Sequence, residues 1–490
     1  MIRTFLNRSI IVVICISYLL SSCKRADNNR VVITSPIGDL CFTHDFHNGY
    51  PLPETQKRLL DEVSFQRACQ VYLWSMPLVS MAQWQYAHVK QLGAENGQIV
   101  YYNTYKDKLG GLTFNGTTPY VISFIDLNDG PWVVELPKGE MIGGVVDFWQ
   151  RTFAQFHSGG KYIIGTESTD DVRLPEGYEY LKSPSKNILI GFRIISSDEN
   201  VQKLMLDGTS VYPLSEFDNP NPRGWISPNG KKWQGWHPDG MEYWYRLSDI
   251  INREDVAERD RFFMSMLKSL GIEKGKRFIP DESQAKLLKE AVFVGEAMAK
   301  ANDFHNERLE ESVYIKGSNW EYALVCPTDQ RHEYYDDLDA RAAWFYEAVM
   351  NGPDMHGHET GNGQVYMAAY TDHEGNWLDG DKNYVLHIPP KVPAKSFWSL
   401  TVYDIATRAM IENKIQRSDI SSRMDLTYNE DGSVDLFIGP AKPKNAANTN
   451  NWIQTIPGKS WFCYFRLYDP GNDFMVKKWI LPDIEYIKNK

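Results

Sequence analysis

The chain has 490 residues, more than one hydrophobic core usually encloses, so two or three domains are expected. Its formal net charge is −11, and phosphate recognition needs clustered Lys and Arg, so nucleic acid is excluded as a partner. Aromatic residues make up 13% of the chain, and most are expected in the core, with some left to line a binding groove. None of the six cysteines stands in a C-x-x-C spacing, which excludes a zinc knuckle and a thioredoxin motif. Cys41, Cys69, Cys326 and Cys463 read as small buried residues, with one disulfide left open.

At the start, Arg3 and Arg8 precede an apolar run over residues 10–20, too short to span a bilayer. The run ends in Leu20-Ser21-Ser22-Cys23, which resembles the lipobox of bacterial lipoproteins. The resemblance implies cleavage before Cys23 and diacylglycerol on its sulfur, hence a membrane partner through that anchor and a cell-envelope location on the periplasmic or outer-membrane side. Loss of residues 1–22 takes the formal charge to −13. Residues 23–45 read as a tether.

Residues 55–90 carry a helical pattern, with Thr55 as N-cap, Leu59, Val63 and Tyr72 near helical spacing, and a break or bend at Pro77. Short β-rich runs follow at 99–102, 120–124, 132–136, 162–164 and 187–194, separated by Gly, Pro, Asn and Asp, as in a β-sandwich. Helix returns over 243–302. Phe263, Leu267 and Leu270 share a face, and Gly271 stands just past the helix end. Asp281 is the N-cap of a second helix with Gln284 three residues on, and its stripe is Leu287, Ala291, Val294 and Met298. Strands dominate again from 364: Tyr384, Leu386 and Ile388 alternate with Val385 and His387, followed by runs at 397–403, 434–438 and 461–468. Asn429-Glu430-Asp431-Gly432 is a hairpin-type turn within this second all-β region, which reads as a sandwich or jelly roll.

The C-terminal third contains Tyr384-Val385-Leu386-His387-Ile388-Pro389, then Phe397-Trp398-Ser399-Leu400-Thr401-Val402-Tyr403-Asp404 and Phe465-Arg466-Leu467-Tyr468-Asp469-Pro470. In order and spacing this resembles the family called domain of unknown function 1214. Upstream, Tyr72-x-Trp74-x-x-Pro77 and Asn115-Gly116-Thr117-Thr118-Pro119-Tyr120 resemble its partner, domain of unknown function 1254, although Gly116 stands where that family more often has an acidic residue. Together the resemblances cover about 45–485. They imply a mainly β fold with a helical domain: helix plus an immunoglobulin-like β-sandwich over 46–200, a helical middle domain over 201–310, and a jelly-roll-like β-sandwich over 311–490. They imply no activity and supply no site residues.

Candidate chemistry therefore rests on single constellations. His356-Gly357-His358, followed by Glu359, Asp372 and His373, reads as a glycine-flanked surface loop in which imidazoles and a carboxylate could share a metal ion. Arg466 stands in an aromatic strand and must be paired, stacked or used on a ligand; Asp404 and Asp469 are its expected structural partners. Asp404 is also an acid–base candidate, whereas His387 and Ser399 read as structural. Trp233, Trp236 and Trp244 form an aromatic stretch that either stacks on sugars or clamps to the core. With no Walker loop and no Rossmann fingerprint, no cofactor is expected. Two functions follow: an envelope-anchored protein binding or scaffolding a glycan or other component, or a periplasmic hydrolase of a glycan or small organic compound with His356, His358, Asp404 and Arg466 as its candidates. Homo-oligomers are compatible with either reading.

Overall fold

The computed structural model describes residues 30–168, 174–304, 309–444 and 449–488, so the leader and Cys23 lie outside the described residues. The chain divides into two compact units, one ending at Ser64 and the other beginning at Phe65. In the first, Val31–Ser35 pairs antiparallel with Gly38–Phe42. The β-branched run Val31-Val32-Ile33-Thr34 favours extended backbone, and Gly38, at φ +100°, supplies the turn conformation that other residues resist. A paired hairpin thus stands inside the stretch expected as tether. Thr55 is not the N-cap: the helix Pro53–Tyr86 starts two residues earlier, with proline in its first position, and the Thr55 hydroxyl accepts the Cys41 N–H at 2.8 Å.

In the second unit that helix runs unbroken through Pro77 to Tyr86 and ends in a single π-helical turn, Ala87–Leu92, ahead of Gly93. An interior proline removes one N–H and crowds the carbonyl four residues back. Here the buried carbonyls around it find side-chain donors. Tyr243 donates to Tyr72 O at 2.9 Å, Arg341 to Trp74 O, His237 to Met76 O at 3.2 Å and Gln150 to Pro77 O at 2.8 Å.

Around this helix pack Met241–Arg253, Arg261–Ser269, Glu282–Phe304 and Leu338–Glu347. Their apolar faces join one core with the long helix and one face of a β-sheet, including Trp74, Trp84, Tyr243, Trp244, Leu288 and Trp344. Asp281 caps as expected, accepting Gln284 N–H at 2.8 Å, but the Gln284 side chain reaches back to Leu270 O at 2.6 Å. Gly271 takes φ +78° past the preceding helix.

The strands fall in two pairs of sheets. A six-stranded sheet, ordered Trp225–Ile226, Ile99–Tyr102, Tyr120–Asp126, Asn187–Ile194, Met141–Asp147 and Thr152–Phe156, accompanies a four-stranded one, ordered Ser210–Pro213, Trp132–Leu136, Gly160–Gly165 and Glu179–Lys182. Ile99, Val134, Ile188 and Phe192 belong to one buried cluster drawn from both. The second pair has five strands (Trp320–Tyr322, Gln364–Ala369, Trp461–Pro470, Ala394–Asp404, Asp419–Ser421) and four (Trp452–Gln454, Val434–Gly439, Tyr384–Ile388, Glu485–Tyr486), with a core that includes Leu386, Leu400, Leu436 and Phe465. The fold is mainly β with several sheets and a helical region, and among the described residues no sheet closes into a barrel.

The five-stranded sheet is buried on both faces. Alternation sends Cys463, Phe465 and Leu467 into the C-terminal core, and Phe462, Tyr464, Arg466 and Tyr468 the other way. That second face, polar and aromatic, meets the six-stranded sheet, where Arg193 donates to Tyr468 OH at 3.2 Å, and the turn ahead of Tyr120–Asp126, where Arg466 donates to Thr113 O at 2.8 Å.

Gln150 ties these parts together. Its amide donates to Pro77 O and accepts Met350 N–H at 2.7 Å, while its own carbonyl accepts Asn351 N–H at 2.9 Å. Gln150→Ala would leave the Pro77 carbonyl and the Met350 N–H buried without these partners. Urea unfolding is expected to lose about 1–3 kcal/mol of stability with an unchanged m-value; an unchanged midpoint would show that the bonds are dispensable.

Candidate functional site

Between the six- and five-stranded sheets lies a cavity of about 100 Å3. Trp84, Phe114, Ile122, Phe192, Trp344 and Met355 give it apolar walls, and Arg193, Arg466, Tyr366, Tyr464, Gln364 and Asp354 give it polar groups. Gly191, in the strand that carries Arg193, keeps space open there: a Cβ would lie 2.7 Å from Leu189 Cδ2 and 2.9 Å from Ile122 Cδ1.

Arg466 is only 2% exposed. It donates to Tyr403 OH at 2.7 Å, Thr401 Oγ1 at 3.2 Å and Thr113 O at 2.8 Å, and lies over the rings of Tyr366, Tyr403 and Tyr464. All three acceptors are neutral. Among the described residues no carboxylate makes an ion pair with Arg466, which corrects the expected pairing with Asp404 or Asp469. Asp404 is turned away: Lys459 Nζ is 2.7 Å from its Oδ2, and its Oδ1 accepts Ala406 N–H at 2.8 Å. Asp469 is reversed by the alternation of the strand. Arg193 is likewise buried, over the rings of Tyr120 and Tyr468, and among the described residues has no ion pair. Gln364 is fully buried; its oxygen accepts from Tyr366 OH at 2.7 Å and its Nε2 has no protein partner. Asp354 is the single carboxylate among the lining residues, 3.6 Å from His157 Nδ1.

Behind Tyr464 stand three buried carboxyl groups, Asp303, Glu321 and Glu347. Burial, and then their mutual repulsion, push Asp303 and Glu321 well above the ordinary range. Glu347, which accepts the Tyr464 O–H, is raised by burial to about 7. A tyrosine on the cavity wall is therefore hydrogen-bonded to a carboxyl group that titrates near neutrality, an arrangement suited to proton exchange.

The histidine stretch is not a surface loop. His356 and the short helix Gly357–Thr360 pack against Gln364–Ala369, and a Cβ at Gly357 would meet Gln364 O at 2.6 Å, so only glycine fits between the two histidines. The side chains of His356 and His358 are 5% and 9% exposed. His356 Nε2 faces Asn351 Oδ1 at 2.9 Å and its Nδ1 faces Glu359 Oε1 at 3.3 Å. His358 Nε2 is 3.4 Å from the same carboxylate oxygen, and its ring stacks on Tyr322 at 4.3 Å. Burial holds both histidines below their ordinary pKa, His358 at about 4. His373 is not part of this group; its ring lies 3.9 Å from Glu374, and its backbone bonds Ile484 O.

Of the sequence candidates, Arg466 lines the cavity, His356 and His358 form a separate cluster, and Asp404 serves a turn. His387 pairs with Asp435 at 2.7 Å, and Ser399 is buried in its strand. Trp233 is clamped, donating to Asp107 O at 2.8 Å, and Trp244 is fully buried. Arg193, Glu347, Tyr464 and Asn351 were not singled out. The first two were legible by the rule that picked out Arg466, a charge inside an apolar run: Ile190-Gly191-Phe192-Arg193-Ile194 and Trp344-Phe345-Tyr346-Glu347-Ala348. Because the folded pKa of Glu347 is raised, its contribution to stability is full below its ordinary value and is lost as pH rises through about 7. Glu347→Gln cannot ionise, so its melting temperature should fall less than that of the parent between about pH 5 and about pH 8; parallel curves would place the titration elsewhere.

Residues 97–213 match the family described as protein of unknown function (DUF1254), and residues 363–472 match that described as protein of unknown function (DUF1214). No curated protein matches the chain. Among solved structures, the VPA0106 protein from Vibrio parahaemolyticus is similar at 17% identity and a TM-score of 0.54, over 87% of this chain and 100% of that one. An uncharacterised protein from Burkholderia cenocepacia aligns over 89% of this chain and 97% of its own at 10% identity, with a TM-score of 0.39. The first likeness is one of fold, and the cavity lies where the two matched segments meet. The chain thus carries a DUF1254 segment followed by a DUF1214 segment, both of unknown function.

Proposed function

We propose that the chain is a lipid-anchored cell-envelope protein that binds a small organic anion, a carboxylate with an apolar body, in the cavity between its two sheet pairs. In this reading the first pair is an immunoglobulin-like sandwich and the second a jelly-roll-like one. The observation that carries the proposal is the donor set in the cavity wall: two buried guanidinium groups that, among the described residues, make no ion pair, Asp419 and Asp354 acting on them only from a distance, and a buried amide N–H2 with no hydrogen-bond partner there. A buried cation is expensive unless its charge is met, and a bidentate carboxylate meets it best. The cavity's size favours a small molecule over a polysaccharide, since a cavity of roughly 150 Å3 holds benzene. The burial of Trp233 and Trp244 removes the strongest support for a glycan surface.

The test is a thermal-shift screen of small carboxylic acids against their neutral amides. A ligand at 100 times its Kd adds about 2.7 kcal/mol. Acids are expected to shift the protein, and Arg466→Met and Arg193→Met to weaken the best of them at least tenfold. Equal shifts with amides, or binding that survives both substitutions, would overturn the proposal. The anchor is tested separately: Cys23→Ser should move the protein from the detergent phase to the aqueous phase in cells that process lipoproteins.

A second reading, an acid–base enzyme acting on the bound anion, is favoured by the Tyr464–Glu347 pair. Turnover lost in both Tyr464→Phe and Glu347→Gln, with binding retained, would select it over simple binding.

A further inference from the structure

The cluster of His356, His358 and Glu359 stands apart from the cavity, since neither histidine lines it. Its ligand-type atoms, one from each side chain, all lie within 4.8 Å of one another. Proximity of this kind is common on protein surfaces. The hydrogen bonds around it are more particular.

Asn351 fixes them. Its amide nitrogen donates to Cys326 O and Pro327 O, both at 2.9 Å, so the oxygen is the atom turned to His356 Nε2. Its backbone is held as well, donating to Gln150 O and accepting from Thr152 N–H. An oxygen facing Nε2 requires the hydrogen on Nε2, which leaves the lone pair of the neutral ring on Nδ1. That lone pair points at a carboxylate oxygen 3.3 Å away. Two acceptors face each other, and something positive must lie between them. The His356 side chain is only 5% exposed, so this face-to-face arrangement is held within packed structure.

We infer that His356 Nδ1, His358 Nε2 and Glu359 form a binding site for a divalent transition-metal cation, zinc foremost. Ligand atoms about 2.1 Å from a tetrahedral zinc lie about 3.4 Å from one another. The two nitrogen–oxygen separations here are 3.3 and 3.4 Å. Two imidazoles and one carboxylate suit zinc, and three protein ligands leave one position for water or a further ligand. Asn351 acts from outside the ligand set as a positioning residue that orients the ring. The stack of His358 on Tyr322 restrains the second ring. Glu359, with its side chain 59% exposed, leaves the site open to solvent for metal entry. Lys477, which donates to the Tyr322 hydroxyl, is the nearby positive charge that works against binding. This site is independent of the anion reading.

The experiment is titration of the full protein, freed of metal by chelator and dialysis, with zinc chloride in a calorimeter. One zinc per chain is expected. His358→Ala and Glu359→Gln should each weaken binding at least tenfold, and cobalt(II) should give the intense visible bands of a tetrahedral site in the parent only. Glu359 is largely exposed, so Glu359→Gln tests the site even where a histidine substitution unfolds the protein. Absence of stoichiometric zinc binding, or binding unchanged in Glu359→Gln, would overturn the inference.

Discussion

The stretch of helix around Pro77 is buried from all sides, and its carbonyls are the constraint on which the second unit depends. Four donors from four distant stretches, Tyr243, Arg341, His237 and Gln150, reach in to satisfy Tyr72, Trp74, Met76 and Pro77. Pro77 orphans the Leu73 carbonyl, whereas these four oxygens keep their place in the unbroken helix and take the side-chain bonds on a second lone pair. Where packing excludes water, only such side chains can supply that second bond. The helical region and the first pair of sheets are therefore fastened to one rod by directional bonds as well as by apolar contact. Gln150 carries that fastening on to Asn351, and Asn351 carries it to His356.

Buried charges stand on either side of Tyr464. Towards the first pair of sheets lie Arg193, Arg466 and Lys108, whose ammonium donates to Gly116 O at 3.0 Å and Thr118 O at 2.8 Å and is pushed down by burial to about 8. Behind it lie Asp303, Glu321 and Glu347, all raised by burial, the first two also by neighbouring carboxylates. Each set has a counter-charge of its own: Lys108 and Arg466 oppose the rise that burial gives the Asp419 carboxyl, and Arg408 opposes that of Asp303 and Glu347.

Much of this was legible in sequence, and the limits have physical causes. Periodicity located the strands 99–102, 132–136 and 187–194 at their observed bounds, because β-branched runs between turn residues have few alternatives. Pro77 misled because local rules cannot see donors that arrive from residues 150, 237, 243 and 341. Glycine-rich flanks made His356 and His358 look exposed, whereas Gly357 is there to let the backbone pass close to Gln364. Arg466 was singled out correctly as a charge that must be accommodated. Its acceptors, a backbone carbonyl at Thr113 and two hydroxyls, belong to long-range pairing that composition does not encode.

The bonds across the sheets also bear on heredity. Arg466, from the second matched segment, is satisfied by the main chain of Thr113 in the first, and Arg193 from the first by Tyr468 in the second. A gene encoding the first segment alone would leave Arg193 without its Tyr468 acceptor, and one encoding the second alone would leave Arg466 without the Thr113 carbonyl, each with half of a cavity wall facing solvent. Recombination that parts the two carries a folding penalty from the first generation, so selection acts on the pair as one heritable element.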